Sequence, residues 1–261
     1  MVTVINWNVN SVKSRQDGLI KLLEEKNPDI VTLQELKCVS EAFPKEEIEH
    51  LGYNIAVNGQ KTYNGVAVLS KFPIEEIITE FPNDPDPSQS RYIEVVIAYN
   101  DQIYRIVSVY VPNGQEVGSD KYNYKMDFLA AFYDHAQGLL SHKEKLVMCG
   151  DYNIAPFDQD VYDAAGLKNS LCFSAPEQQA LRKFLFNGFN DSYRLIFPHE
   201  GNKYTWWDYR GLSWQKNQGM RIDHILLSNE AADCLSDFNI DLKTRGQERP
   251  SDHAPIIATF I

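Results

Sequence analysis

Eight polar residues stand where they could do chemistry together: Asn8, Glu35, Tyr110, Asp151, Asn153, Asp223, Asp252 and His253. Each lies at or just beyond an apolar run that reads as a β-strand, mostly at its C-terminal end. The plainest case is Leu146 to Cys149, followed by Gly150, Asp151 and Asn153. Gly150 would let the backbone turn where the strand ends. In extended chain Asp151 and Asn153 point to the same side, placed like catalytic groups on a loop held by a rigid sheet. Taken alone, the pair reads more readily as an Asx-type turn, in which the side chains bond their own backbone. Turn preference alone does not account for eight such positions spread from residue 8 to residue 253. One pocket gathering them would hold carboxylates, amides, a phenol and an imidazole. Hard oxygen ligands suit Mg²⁺, which keeps waters and uses substrate phosphate oxygens. There is no Cys/His set for structural zinc. The chemistry indicated is metal-assisted hydrolysis of a phosphoester.

Regular elements must carry these groups. Val2 to Asn10 alternates and is rich in β-branched residues, which predicts a strand with Asn6, Asn8 and Asn10 on one face. Such a row is either a solvated face or the floor of a polar site. Arg15 to Lys26 reads as a helix through Leu19, Leu22 and Leu23, with Pro28 past its end. Ile30 to Leu33 is a short buried strand with Gln34 and Glu35 at its end. Asn54 to Val57 and Gly65 to Ser70 read as a strand pair, and Pro82 to Ser90 as a loop. Arg91 to Tyr99 and Gln102 to Val111 form a hairpin around Asn100-Asp101. Lys121 to Leu140 is helical, with Phe128, Phe132, Ala136 and Leu139 on one face. Ser174-Ala-Pro-Glu177 is a capping box that starts a helix ending at Gly188. Tyr204 to Arg210 is an aromatic strand or loop, Met220 to Ser228 a strand, and Ile256 to Phe260 the closing strand. Hairpins mixed with strand–helix alternation predict an α/β fold of two packed sheets with helices outside, not a doubly wound sheet.

A chain of 261 residues fits one or two domains and can bury a large core without disulfides. Cys38, Cys149, Cys172 and Cys234 are widely spaced, as expected of reduced thiols in a cytoplasmic protein. No stretch approaches the roughly 18 apolar residues of a membrane span. The N-terminus enters a strand at once, which leaves no room for a secretory signal. The net charge of −11 argues against broad, non-specific nucleic-acid affinity. A local rim is still available from Lys13, Arg15, Lys37, Lys61, Arg91, Lys121, Lys125, Arg210 and Arg221, each of which reads singly as a surface charge.

Eight segments, in order over nearly the whole chain, carry a resemblance: Trp7 to Ser11, Leu33 to Lys37, Gly59 to Ala67, Tyr110 to Asn113, Gly150 to Pro156, Tyr204 to Arg210, Arg221 to Ser228 and Ser251 to Pro255. Together the sequence resembles the bacterial type of the exonuclease III family of abasic-site endonucleases. That family belongs to the endonuclease/exonuclease/phosphatase superfamily. The resemblance implies a four-layered α/β sandwich, two packed mixed sheets flanked by helices, with residues 1–261 as one catalytic domain. It implies Mg²⁺, with Mn²⁺ able to substitute, and Glu35 as principal ligand. Asp252 and the Asn8/Asn10 strand would complete the surroundings, and Asp151 with Asn153 could hold a second ion. Asp151 would orient or deprotonate the attacking water, and Asn153 would fix Asp151 and the phosphate. His253, held by Asp223, and Tyr110 would contact phosphate oxygens. Some members carry Asp where Asn10 stands, which would bind Mg²⁺ more strongly than an amide.

A baseless sugar has no base edge to read, so shape, backbone contacts and a small apolar pocket must recognise it. By the resemblance, Trp206, Met220 and Ile222 match the pocket positions, although members often have Trp at the Met220 position. Trp207 reads equally as core, since alternation separates it from Trp206. Asn10, Arg91, Asn113, Lys121 and Arg210 would contact DNA. The expected protein is a monomeric Mg²⁺-dependent DNA-repair nuclease that meets no membrane. It would cut duplex DNA 5′ to an abasic site, and also act as a 3′→5′ exonuclease and 3′-phosphatase. The alternatives are a specialised 3′→5′ exonuclease or 3′-end phosphatase, a phosphoinositide or sphingomyelin phosphodiesterase, and a DNA-binding module with a decayed site.

Overall fold

Alternation along the strands sorts side chains into layers. In the computed structural model, which describes residues 1–261, β1 (Val2–Asn8) sends Val2 and Val4 into one apolar layer and Ile5 and Trp7 into another. Next come α1 (Gln16–Lys26), β2 (Ile30–Gln34), α2 (Lys45–His50), β3 (Asn54–Asn58), β4 (Val66–Ser70), β5 (Glu76–Ile78), β6 (Tyr92–Tyr99) and β7 (Gln102–Tyr110). The second half holds α3 (Asp120–Leu140), β8 (Lys145–Asp151), α4 (Ala175–Phe186), β9 (Asn190–Asp191), α5 (Ser192–Ile196), β10 (Asp223–Leu227), α6 (Asn229–Ala232), β11 (Leu235–Ile240), α7 (Leu242–Arg245) and β12 (Ile256–Phe260).

One six-stranded sheet has the order β11-β12-β1-β2-β4-β3, the other β5-β6-β7-β8-β10-β9. Each has a parallel pair at its centre, β1 with β2 and β7 with β8, and is otherwise antiparallel. Between the sheets pack Val4, Ile30, Val68, Ile106, Val147 and Ile225. Leu19, Leu22 and Leu23 of α1 and Ile48 of α2 cover the outer face of the first sheet. Phe128 and Phe132 of α3, with Leu181 and Phe184 of α4, cover the second. The expected four layers are present. No helix is long and apolar enough to cross a membrane.

Local departures from the sequence reading have physical causes. The first strand ends at Asn8; Asn10 and Ser11 turn left-handed (φ 45° and 87°), so Asn10 leaves the face that Asn6 and Asn8 share. Gly150 makes no turn, because β8 continues through Asp151. Glycine is required there for close approach, since a Cβ would collide with the Val109 carbonyl of the neighbouring strand. Asn100 and Asp101 do form the expected two-residue turn, both left-handed. Residues 204–210 form a loop, tied down where Trp206 bridges Met220 and His253, where Thr205 Oγ1 accepts the Ile222 and Asp223 N–H groups, and where the Trp207 N–H donates to the Asp252 carbonyl. The edge strands β5 and β11 carry little apolar alternation, and the sequence gives no sign of them. Cys38, Cys149 and Cys172 are buried free thiols, and Cys234 is half-buried.

Candidate active site

Towards the C-terminal ends of β1, β2, β7 and β8 the layer between the sheets turns polar. Asn6, Thr32, Gln34 and Ser108 are fully buried. The Asn6 side-chain Oδ1 accepts from Thr32 Oγ1 and Gln34 Nε2 (both 2.8 Å), and Gln34 Nε2 also donates to Ser108 Oγ (2.9 Å). The row of amides is therefore an internal hydrogen-bonded seam, and one turn of pleat further it becomes the floor of a pocket. Asn8 Nδ2 donates to Glu35 Oε1 and to Asp151 Oδ2, both at 2.9 Å. Its own oxygen accepts the Asn10 N–H (3.0 Å). Asn8 thus bridges two acids as a donor.

The pocket, of about 410 Å³, is lined by Glu35, Tyr110, Asn113, Asp151, Asn153, Leu171, Cys172, Trp206, Met220, Ile222, Asp252 and His253. Glu35 follows β2 in a left-handed conformation (φ 53°), which the shape of the turn imposes on it. It accepts from the Tyr110 hydroxyl at 2.9 Å and pairs with Lys37 Nζ at 2.9 Å. Asp151 ends β8 opposite Asp223 of β10. Its Oδ1 accepts the Asn153 N–H (2.9 Å), so the Asx turn and the site are one structure. Asn153 is left-handed (φ 51°); its Nδ2 donates to the Val111 carbonyl and its oxygen accepts from Asn113 Nδ2 (3.1 Å). His253 Nδ1 lies 2.9 and 3.1 Å from the Asp223 oxygens, and its Nε2 lies 3.7 Å from Asp151 Oδ2. Ser251 fixes this last loop by donating to the Asn8 carbonyl (2.7 Å) and accepting the His253 N–H. Asp252 accepts from Trp206 Nε1 (3.0 Å) and Asn10 Nδ2 (2.8 Å).

The electrostatics are lopsided: four acids, Glu35, Asp151, Asp223 and Asp252, face only His253 and Lys37. Burial, with Asp223 and Glu35 nearby, lifts the Asp151 carboxyl to about 7, although His253 pulls the other way. Burial works against charge on His253, but Asp223 and Asp151 outweigh it and hold the imidazole protonated up to about 10. Burial disfavours charge on Glu35 too; Lys37 and Asn8 offset this and hold it below its ordinary value. Asp252 is likewise held down, by His253, Trp206 and Asn10 acting against burial. Burial, Glu35 and Asp151 push the Tyr110 phenol well above its usual range, so it is a hydrogen-bond donor. Donor atoms of Glu35, Asp151 and His253 lie within 4.8 Å of one another. The carboxylate oxygens fit a hard divalent cation, which would supply the positive charge the cluster lacks. The imidazolium of His253 has no lone pair to offer a metal.

Trp206, Met220 and Ile222 line the pocket on its apolar side, whereas Trp207 is core against Tyr204 and Trp214. A second groove, of about 740 Å³, adjoins the pocket through Tyr110 and Asn113 and contains Arg91 and Lys121. The Arg91 guanidinium sits 5.0 Å from the Tyr110 ring centre and donates to the Tyr110 carbonyl. Arg210 is exposed and pairs with Asp208 (2.8 Å). Two candidate phosphate contacts are overturned: Arg221 and Lys125 are buried and ion-paired, out of reach of any ligand. Sequence reasoning did not single out Leu171 and Cys172 as pocket residues. They precede the Ser174 capping box in loop without periodicity, and the left-handed turn at Cys172 (φ 65°) leaves no mark in a non-glycine residue.

Residues 5–253 match the model of the Endonuclease/Exonuclease/phosphatase family. Exodeoxyribonuclease III of Haemophilus influenzae is 34% identical over 263 residues, covering 98% of each chain. A 3′ phosphatase, NExo, from Neisseria bound to a product DNA hairpin superposes with a TM-score of 0.96 and 38% identity, covering 100% of both chains. An AP endonuclease from Archaeoglobus fulgidus gives a TM-score of 0.93 and 34% identity over 100% of this chain and 99% of that one.

Proposed function

Since this chain belongs to the Endonuclease/Exonuclease/phosphatase family, we propose that it is a DNA-repair hydrolase that cuts the phosphodiester 5′ to an abasic site in duplex DNA. Residues 1–261 act as one catalytic domain, monomeric and cytoplasmic, with 3′→5′ exonuclease and 3′-phosphatase activities on the same site. The names of its relatives, an exodeoxyribonuclease and an AP endonuclease, support DNA as the substrate. One observation carries the chemical reading. Asp151 is a buried carboxyl that shares the Asn8 amide with Glu35, lies 3.7 Å from His253 Nε2 and faces an apolar wall.

Glu35 and Asp252 would hold a divalent ion, Mg²⁺ or Mn²⁺, with Asp151 and Asn153 beside it; that ion would supply charge against the phosphoryl and leaving oxygens. The side chains divide the remaining work. Asp151 takes the proton of the attacking water, since a base near pH 7 is well matched to that task. Tyr110 keeps its proton and donates, first to Glu35 and then to a phosphate oxygen. Asn153 orients Asp151 through its backbone N–H. His253, held by Asp223, aims Nε2–H into the pocket to stabilise charge that builds on a non-bridging oxygen. Trp206, Met220 and Ile222 offer a small apolar berth for a sugar without a base. Asn10 at the rim, with Arg91, Asn113 and Lys121 in the adjoining groove and Arg210 on the exposed loop, would follow the backbone.

A specialised 3′-end enzyme is the second reading, favoured by the likeness to the Neisseria 3′ phosphatase. A labelled duplex with one internal abasic analogue, an intact duplex and a 3′-phosphate end, each with Mg²⁺ and with chelator, separates the two. We expect a single Mg²⁺-dependent cut at the lesion. Phosphate removal or 3′ shortening without internal cutting would move the function to the second reading.

A further inference from the structure

Behind the pocket wall lies an ion pair that the chemistry above does not use. Lys125 of α3 and Glu177 of α4 are both completely buried, with Nζ 2.5 Å from Oε1. The other two ammonium hydrogens are also spoken for. Nζ lies 2.8 Å from the carbonyl oxygen of Asn153 and 3.2 Å from that of Asn113. Those carbonyls belong to the two asparagines whose side chains bond each other at the pocket. Glu177 is equally committed: Oε1 accepts the Cys172 N–H (3.1 Å), and Oε2 accepts the Ser174 N–H (3.1 Å) and hydroxyl (2.5 Å). One cation and one anion therefore tie together the loops after β7, after β8 and before α4, the three that supply Asn113, Asn153 and Cys172 to the wall.

Stability is a poor reason for such a pair. Replacing a buried ion pair by apolar groups of similar volume is often neutral or stabilising, because two charges have been taken out of water. Nor does the fold demand an ammonium here: α3 and α4 already pack through Phe132 and Phe184. What an apolar pair could not do is satisfy the two carbonyls. Asn153 is left-handed, so its carbonyl turns inward while its N–H turns towards Asp151 Oδ1. The carbonyl and the N–H belong to the two peptide units on either side of the Asn153 Cα; a donor on the carbonyl holds one of them and so keeps the left-handed conformation that aims the N–H at Asp151.

We propose that Lys125, balanced by Glu177, is a positioning residue for the reaction: it clamps the Asn113 and Asn153 backbones and so fixes the orientation of the Asp151 carboxylate. This rests on the role of Asp151 proposed above. A displacement of about 1 Å at a reacting group can cost on the order of 100-fold in rate. The loss should therefore appear mainly in kcat, with at most a small rise in KM from the shift of Asn113 in the groove.

The test compares Lys125→Met, the double variant Lys125→Met/Glu177→Leu, and Glu177→Gln. Each is assayed with Mg²⁺ on the abasic duplex beside wild type, and each is melted in urea without metal. The double variant removes both charges, so it should regain most of the stability that Lys125→Met loses. Its kcat should nevertheless stay about 10- to 100-fold below wild type, with KM within about threefold. Glu177→Gln keeps Nζ and an acceptor oxygen, so its kcat should fall less than that of either Lys125 variant whatever its stability. A double variant that is stable and turns over like wild type overturns the proposal, as does a kcat that merely follows the urea midpoint across the set. If neither Lys125 variant folds, a tenfold fall in kcat in Glu177→Gln overturns it. Wild type inactive on this duplex would refute the assigned reaction instead, a result separate from these.

Discussion

Two buried clusters of charge share the strand β10 and differ in how their charges balance. Asp223 at its start holds His253 from behind the pocket, and around that point four acids meet His253 and Lys37. His224, the next residue, points the other way into a second cluster, where Asp160 and Asp191 meet Arg221 and Arg194. There Arg221 Nε lies 2.8 Å from Asp160, and Nη2 lies 2.7 Å from Asp191. Burial alone would raise Asp191, yet Arg221 and His224 hold it below the ordinary carboxylate value. In the pocket burial raises Asp151 to about 7, because too few cations oppose it. Two sites with similar residues and similar burial therefore do different work. The balanced one is a clamp, and the unbalanced one keeps an acid near neutrality with room for a cation.

The sharpest way to break this contrast is to remove one acid from the unbalanced side. Asp151→Asn should lower kcat by at least about 10²- to 10⁴-fold, the range a general base contributes. It should not destabilise the metal-free protein, because the carboxylate repels Glu35 and Asp223. A folded Asp151→Asn enzyme with normal turnover would remove the base assignment, and a collapse in stability would show the pocket to be a clamp as well.

The same operation on the balanced side should do the reverse. Arg221→Met leaves the buried Asp191 unpaired and Asp160 with Arg194 alone, a loss expected to cost about 3–5 kcal/mol of stability. Turnover by the folded protein should stay within a few-fold of wild type. Urea unfolding beside kcat decides it: a large fall in kcat with intact stability would merge the two clusters into one functional unit.

The sequence shows the layers of the fold because they follow from alternation, as Val2, Val4, Ile5 and Trp7 illustrate. It also shows which polar residues converge, because each stands at or near one end of a strand. Glu35, Tyr110, Asp151 and His253 needed only strand ends and a shared edge to be brought together. It does not reveal which way each group faces. Asn8 and Asn10 look like equivalent members of one row, yet a left-handed turn separates them and gives them different acids. Nor can composition tell a buried cation from a surface one. Lys125 and Arg221 look like any other basic residues until the acid that neutralises each is placed beside it by a distant segment, Glu177 for one and Asp160 for the other.

The smallest expected effect concerns pH, and there the two clusters carry opposite signs. Burial and the Arg221 charge push His224 down to about 4. Its Nδ1 accepts from Arg221 (3.1 Å) and its Nε2–H donates to the Ile154 carbonyl (2.8 Å), so the neutral ring is the one that fits. In the unfolded chain the imidazole titrates near its ordinary value of about 6.5. The stability His224 contributes is therefore complete above about pH 6.5 and is lost as pH falls through about 4, up to roughly 3 kcal/mol. Asp151 acts in the opposite sense over the same range: its folded value lies above the unfolded one, so protonation below about 7 favours the folded state. His253, raised to about 10, contributes fully below about pH 6.5 and loses that contribution as pH rises from there towards about 10. The net slope of wild type mixes these, so the informative quantity is its difference from His224→Gln, whose amide can still meet both Arg221 and the Ile154 carbonyl. Between pH 7.5 and 4.5 the metal-free wild type should lose more stability in urea than His224→Gln does. Parallel pH profiles would mean that the second cluster accepts a proton without penalty, and is then less tightly balanced than its four ion-pairing residues indicate.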